Sequence, residues 1–393
     1  MRIGIIGSGV AGSLLAEGLL GAPGIDLALF ERAGAGEHAG AGTGLNLGPN
    51  ALKALRLHMP ARHAALRAAS LPWRRWTVAL TDGRPLLDLD LLRIAEEPGA
   101  RIRWSELYRL LRAPLAAVAP GPVRGGHALE ALEADAAGRL VPVFRRPDGT
   151  LARDGGFDLL VGADGRYSRL RALTAGEPVP RQLGLCIWRL LVPAEASAGC
   201  PFDDYGQWFN GHARLLAFRV PGGAVYVAGA FPLPPDGAIP EAARSVACQQ
   251  ALFTPPDGAP CPAVAWMLER VAAGFGDIHW ARIQETPLLR RAAEGRALFL
   301  GDAAQGMVPT LGQGATQAME DGVLAAPVLR AGGDPAALSA AVAARRDARV
   351  AFARDLSWQA SDTMLDADPV AGTRRKGEAA FLASLRRLYT EVG

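Results

Sequence analysis

Apolar positions along this chain change rhythm three times. From Arg2 to Ile6 they run almost without a polar break, as in a strand buried on both faces, and from Val10 to Leu20 they recur at helical spacing. Asp26 to Phe30 is a second apolar run, ending at Glu31, so the first thirty or so residues predict a β-α-β unit. Gly34 to Gly48 is glycine-rich and reads as a loop, Asn50 to Leu57 and Glu106 to Val118 as helices, and Phe157 to Gly162 as a third buried strand. Between Leu185 and Phe231 the rhythm shifts to strands. Arg214 to Val220 and Ala224 to Phe231 flank Pro221-Gly222-Gly223, a hairpin signal. Ala297 to Gly301 is one more buried strand, Gly314 to Leu329 a helix, and the chain from Pro335 onward is mostly helical.

The nucleotide-type strands thus stand at the start, in the middle and near residue 300, with a β-rich block between them. The pattern predicts an α/β protein with a Rossmann-like domain built discontinuously from residues 1–70, 100–180 and 290–330. A β-rich domain from 71–99 and 181–289 is inserted, and a helical region covers 331–393. A chain of 393 residues, half of them apolar, has ample material for such a core.

Composition narrows the function classes. The net charge of +3 is spread along the chain without a dense basic run, which argues against nucleic-acid binding. Cys186, Cys200, Cys248 and Cys261 form no C-x-x-C pair and no spacing suited to zinc, so they read as reduced thiols of a cytoplasmic protein with no metal site. The apolar N-terminus lacks a cleavage site, and no stretch of eighteen apolar residues suggests a membrane span.

Gly7-Ser8-Gly9-Val10-Ala11-Gly12 is a G-x-G-x-x-G between a strand and a helix, and Glu31 ends the next strand nineteen residues after Gly12. Gly7 permits the tight turn, Gly9 lets backbone approach a pyrophosphate, and Gly12 lets the helix pack on the strand. The helix N-terminus offers free N–H groups to phosphate. Glu31 can accept from a ribose diol, and its charge would repel a 2′-phosphate, so the bound nucleotide is FAD or NAD. Arg32 follows it.

Two later motifs favour FAD. One is Gly162-Ala163-Asp164-Gly165-Arg166-Tyr167-Ser168-Arg169-Leu170-Arg171. The other starts at Gly301-Asp302, passes Gln305, Pro309 and Gly312-Gln313-Gly314-Ala315, and runs on to Glu320-Asp321. In these motifs, in this order, the chain resembles the aromatic hydroxylase family of para-hydroxybenzoate hydroxylase, the group A flavin monooxygenases. The resemblance implies that Asp302 binds the FAD ribityl chain. It also implies that Pro309, Gly312, Gln313 and Gly314 line the flavin and supply catalytic backbone groups, with helix-end N–H groups stabilising negative charge on the flavin. Asp164 and Gly165 would lie near the FAD pyrophosphate and the NAD(P)H path, where Arg169 and Arg171 could screen phosphates. Gly42 to Gly48, with Gly44, Leu45 and Asn46 beside the flavin, resembles the element that lets the flavin swing between reduction and hydroxylation positions. The Pro309 carbonyl would accept from a substrate hydroxyl.

The implied activity is hydroxylation of a small electron-rich aromatic or N-heteroaromatic ring by NADH or NADPH and O2, through a flavin C4a-hydroperoxide. Two positions depart from the family. Trp104 stands where an arginine is usual, as in the dihydroxypyridine hydroxylase branch, with Arg101 or Arg103 as possible substitutes, and Gln305 stands where histidine is common. Trp188, Arg189, Tyr205, His212, Arg214 and Tyr226 are the polar candidates for substrate contact. Alternation puts Arg214, Leu216 and Phe218 on one face of a strand and Tyr226, Ala228 and Ala230 on one face of the next. Basic groups outnumber acidic ones among the candidates, suggesting a small aromatic acid or a hydroxylated pyridine.

Other readings of the same residues are an FAD-dependent reductase or dehydrogenase, and a flavin-binding protein without turnover. A halogenase would need a Trp-x-Trp-x-Ile-Pro segment and a lysine near the substrate, and the only lysines are Lys53 and Lys376. A membrane-associated quinone-pathway hydroxylase would use the basic segment from Arg374 to Arg387. A homodimer through the C-terminal helices is a further expectation.

Overall fold

The computed structural model describes residues 1–34, 42–118 and 121–393. The Gly34 to Gly48 loop expected from sequence therefore falls partly outside the described residues. Its end is ordered as a strand, Gly44–Leu47, rather than a loop.

The apolar runs pair as their composition requires. Arg2–Ile6 lies between Asp26–Phe30 and Leu159–Gly162, parallel to both, and Ala297–Phe299 continues the sheet in parallel. The six-stranded sheet is completed by Arg291–Ala292 and Val123–Arg124 at its edges. Such strands carry no polar alternation because both faces are covered. On one face Ile3, Ile5, Leu159 and Val161 pack with Leu14 and Leu15 of the helix Val10–Leu19 and with Met319 and Val323 of the helix Gln313–Arg330. On the other, Phe30, Leu160 and Phe299 meet Leu129 and Phe144 of a small antiparallel sheet, Ala128–Ala134, Leu140–Arg145 and Leu151–Arg153.

The inserted sheet has seven strands, in the order His279–Glu285, Arg181–Val192, Val225–Pro232, Ala213–Arg219, Tyr205–Asn210, Arg75–Leu80, Pro85–Asp90. It is antiparallel except that Tyr205–Asn210 runs parallel to Arg75–Leu80. One face is covered by the helices Val246–Phe253 and Pro262–Ala273 through Trp188, Leu190, Leu215, Val227, Phe253 and Met267. The opposite face carries Phe218, Tyr226, Ala228 and Ala230 and joins a core with Leu356, Leu385, Leu388 and Tyr389 from the C-terminal helices.

A third sheet, Gly44–Leu47, Gly99–Arg103 and Leu71–Trp73, ties the two halves together. A buried polar network locks the C-terminal helix Pro335–Ser361 to the helix Gln313–Arg330. Arg346 donates to Asp321 at 2.8 Å, Glu320 at 2.7 Å and Gln317 at 2.6 Å, and Arg290 donates to Asp321 at 2.7 Å.

Candidate active site

A cavity of about 1440 Å³ runs between the two sheets, from the first β-α turn to the floor of the seven-stranded sheet. At its nucleotide end the glycines are sterically required. Gly7 has φ +98°, and a side chain there would meet the Ala163 carbonyl oxygen at 2.5 Å. A side chain on Gly12 would fall on the Gly7 carbonyl. Gly9 caps the helix Val10–Leu19 without any side-chain hydrogen bond, so the first-turn N–H groups point free toward the cavity. Glu31 is buried and accepts from Ser8 N and Ser8 Oγ, both at 2.9 Å, and from Ala33 N at 3.0 Å. Burial alone would raise its carboxyl, but these bonds and the Arg112 charge hold it below the usual range, so it faces the cavity ionised. Gly9, Val10, Ala11, Arg32, Asp164 and Gly165 line the same end.

At the middle, Gly301 takes φ +58° and donates its N–H to Asp321 at 2.8 Å, which turns Asp302 into the cavity. Burial raises the Asp302 carboxyl and the Arg166 charge opposes the rise. Gly312 caps the helix Gln313–Arg330 in the left-handed region, φ +66°, where a side chain would meet the Asn46 carbonyl oxygen at 2.5 Å. The helix N-terminus thereby opens onto the cavity at Gly312, Gly314 and Ala315, facing Gly44, Leu45 and Asn46. Among the described residues Asn46 Oδ1, Asp164 Oδ1 and Arg103 Nε are buried without a partner. Trp104 packs over Gly42 and also lines this stretch.

Some expected residues sit elsewhere. The Gln313 side chain does not reach the cavity. It is fully buried, accepting from Asn50 at 3.1 Å and Gln317 at 3.0 Å, so only its backbone remains available to a ligand. Arg171 screens no phosphate, because its guanidinium is spent on the carbonyls of Ala303, Ala304 and Pro287. Gln305 is buried away from the cavity, and its amide has no partner among the described residues. The Pro309 carbonyl lies at the cavity and already accepts from Gly312 N at 3.0 Å, which leaves one lone pair.

Strand register settles which sheet face looks inward. Ile187, Arg189 and Leu191 stand beside Ala230, Ala228 and Tyr226, and these beside Arg214, Leu216 and Phe218. This face forms the floor, with the short side chains of Ala228 and Ala230 between the longer ones. Trp188 points the other way because neighbours in a strand alternate. It is buried against Phe253, donates to Gln249 at 2.6 Å, and is not a cavity residue. His212 sits in the turn before Ala213 and binds the Met364 carbonyl at 3.2 Å, also outside the cavity.

Arg189, Tyr205, Arg214 and Tyr226 do converge on the floor. Arg214 is only 1 % exposed, yet its Nε and Nη1 have no partner among the described residues. A buried cation without a counter-ion is expensive, which marks a position built for a ligand. Gln207 donates to the Tyr205 oxygen at 2.6 Å, and the Arg189 charge lies close to Tyr226. Burial raises both phenols, so they stay protonated donors at neutral pH.

No family model matches this chain. It is 32% identical over 347 residues to the 3-amino-4-hydroxybenzoate 2-monooxygenase PtnB3 of Streptomyces platensis, covering 84% of this chain and 80% of that one. It is 29% identical to the salicylate hydroxylase of Pseudomonas putida, covering 96% and 89%. Among solved structures, Klebsiella pneumoniae HpxO complexed with FAD and uric acid superposes with a TM-score of 0.80 at 23% identity, covering 99% of this chain and 96% of that one. The 2,6-dihydroxypyridine-3-hydroxylase of Arthrobacter nicotinovorans gives 0.75 at 18%, covering 97% and 95%. These two carry the fold, and the sequence relatives carry the activity. The glycine cradle, the ionised Glu31, and the unpartnered oxygens of Asn46 and Asp164, which line the same cavity as Asp302, fit a bound FAD. With that fit and those relatives, this chain belongs to the FAD-dependent aromatic monooxygenases, single-component hydroxylases that use NAD(P)H and O2.

Proposed function

We propose that this enzyme hydroxylates a small aromatic acid whose ring also carries a hydroxyl or amino group. The observation that carries the reading is Arg214, a fully buried guanidinium facing the cavity with two unpartnered N–H donors. A substrate carboxylate would supply the missing charge and an acceptor for one of these donors. Tyr205 already accepts from Gln207, so its own proton is free to add a donor, and the Tyr226 hydroxyl can add another. Across the cavity the remaining lone pair of Pro309 accepts from a ring hydroxyl or amine, which makes the ring more electron-rich and favours electrophilic attack. Relatives named for 3-amino-4-hydroxybenzoate and salicylate support an acid of this kind.

The residues divide the remaining work. Asp302, Glu31 and the backbone of Gly9 to Gly12 hold FAD, which supplies hydride acceptance from NAD(P)H and oxygen activation. Trp104 and Arg103 border it where the family usually places an arginine. The N–H groups at Gln313, Gly314 and Ala315 would present a helix N-terminus to negative charge on the bound flavin. Ile187, Leu191, Leu216, Phe218 and Met307 line the cavity with apolar surface and keep water from the reacting atoms.

The reading also places the enzyme in the cytoplasm, where NAD(P)H is available. Four free thiols support that, and among the described residues no helix is long and apolar enough to cross a membrane. In a homodimer the contact would use surfaces other than Leu385, Leu388 and Tyr389, which are buried in the chain's own core.

The test is NADH and NADPH oxidation by the flavin-loaded enzyme across hydroxybenzoates, aminohydroxybenzoates and hydroxypyridines, with peroxide followed in parallel. Stimulation by an aromatic acid with little peroxide supports the reading. Stimulation by neutral hydroxypyridines alone would remove Arg214 from substrate recognition.

A further inference from the structure

The cavity reaches solvent at residues far apart. One opening lies beside Arg166 and Tyr167, the latter 84% exposed, next to Asp164 and Gly165. Arg166 abuts Gly306, whose N–H donates to Thr286 Oγ1 at 2.7 Å, so this opening stands at the Thr286 end of the edge strand His279–Glu285. The other is lined by Pro193, Asp277 and His279, all exposed, at the opposite end of that strand. His279 and Thr286 are seven residues apart, roughly 23 Å at strand spacing. These two exposed stretches of the lining therefore stand far apart.

They also differ in where they lead. The Tyr167 mouth opens on the nucleotide half, among Asp164, Gly165 and Arg169. The His279 mouth opens on the sheet floor. His279 is the cross-strand partner of Arg189, a half-buried cation on the cavity face. Arg189, Tyr226, Tyr205 and Arg214 line the same floor, and both tyrosines lie within electrostatic reach of Arg214. Leu191 and Leu216 complete an apolar wall along this line.

We propose that the anionic aromatic substrate enters and leaves through the mouth formed by Pro193, Asp277 and His279, with Arg189 as its first cationic contact, and not through the mouth beside Tyr167. This rests on the reading of the substrate as an aromatic acid. An anion entering here is drawn inward by Arg189 and then by Arg214, while Asp277 at the rim opposes it. The arrangement lets substrate exchange while the Tyr167 side is occupied by a nucleotide.

The test is stopped-flow binding of 3-amino-4-hydroxybenzoate and salicylate to the FAD-loaded full chain, read from the flavin absorbance without reductant. His279→Trp narrows the rim and is expected to slow association and dissociation together by about tenfold, with Kd changed by less than about twofold. Asp277→Lys removes the repelling charge and is expected to speed association about tenfold at low salt, an effect that fades as salt is added. Tyr167→Trp leaves association unchanged. Unaltered rates in both rim variants, or slowing by Tyr167→Trp, would overturn the assignment while leaving the aromatic-acid reading intact. If neither probe perturbs the flavin of the unmodified enzyme, the aromatic-acid reading fails and this one falls with it.

Discussion

Replacing Arg214 by methionine is expected to make the enzyme more stable and blind to its substrate at once. The guanidinium is buried with Nε and Nη1 unpartnered. A buried donor left without a partner costs ~1–3 kcal/mol, so two of them cost about 2–6 kcal/mol, less whatever packing the narrower methionine gives up. A net gain of about 2 kcal/mol is the working expectation, enough to raise Tm by roughly 2–3 °C in a chain of this length. Binding moves the other way. Removing one partner of a buried, hydrogen-bonded charge pair costs about 2–5 kcal/mol, so Kd for the aromatic acid should weaken by about 30-fold to several thousandfold. The assay pairs thermal unfolding of the FAD-loaded enzyme, without substrate, with titration of the flavin absorbance by the acid. A variant that is less stable and binds the acid as before would show Arg214 to be a packing residue, and the reasoning from its missing partners would be wrong.

Other substitutions test other parts of the site. Ala228→Leu raises the sheet floor between Arg189 and Leu216 and should abolish substrate-stimulated NAD(P)H oxidation while FAD content stays at parity, as measured by bound flavin absorbance. Gly12→Val places a side chain on the Gly7 carbonyl and should yield protein purified without its yellow chromophore. Arg346→Met removes the buried guanidinium that Glu320 and Asp321 share, leaving Asp321 to Arg290 and Glu320 to the more distant Arg349, and should cost about 3–5 kcal/mol in denaturant unfolding. Acid should loosen the same network. Burial would raise the Asp321 carboxyl, but Arg290 and Arg346 hold it below its ordinary value, so its contribution is present at neutral pH and is lost as pH falls through that depressed value. Chemical denaturation at pH 7 and below pH 4 measures the loss, which Arg346→Met should reduce.

The parts of this site that lie within one short stretch were legible in the sequence. Gly7 to Gly12 with Glu31, and Gly301 to Gly314, each combine a strand, a turn and a helix start, and each turn needs glycine for a steric reason local to it. The substrate floor was harder. Arg189 and Trp188 are adjacent in one strand and alternate, so one had to face the cavity and the other the helices. Only the pairing of Arg181–Val192 with Val225–Pro232 decides which. Gln313 follows Gly312 directly, yet helix geometry turns its side chain from the cavity toward Asn50. Arg171 looked like a phosphate ligand because nothing nearby in sequence announces the Ala303, Ala304 and Pro287 carbonyls that take its donors. The meander from Ala128 to Arg153 escaped because its half-exposed strands carry Glu130, Glu133 and Arg145 at intervals that mimic a polar loop. Asp277 and His279 carry no motif at all, and their place at the mouth is a consequence of tertiary structure.

The most direct test of the account is a turnover in ¹⁸O₂ with NAD(P)H and a ring-hydroxylated or amino-substituted benzoic acid, with the product read by mass spectrometry. The account predicts a product that retains its carboxylate and carries one ¹⁸O on the ring, formed in step with NAD(P)H consumed. Label found only in peroxide or water with every acid tried, while the flavin is fully reduced by NAD(P)H, would contradict it and leave an oxidase or reductase on this fold.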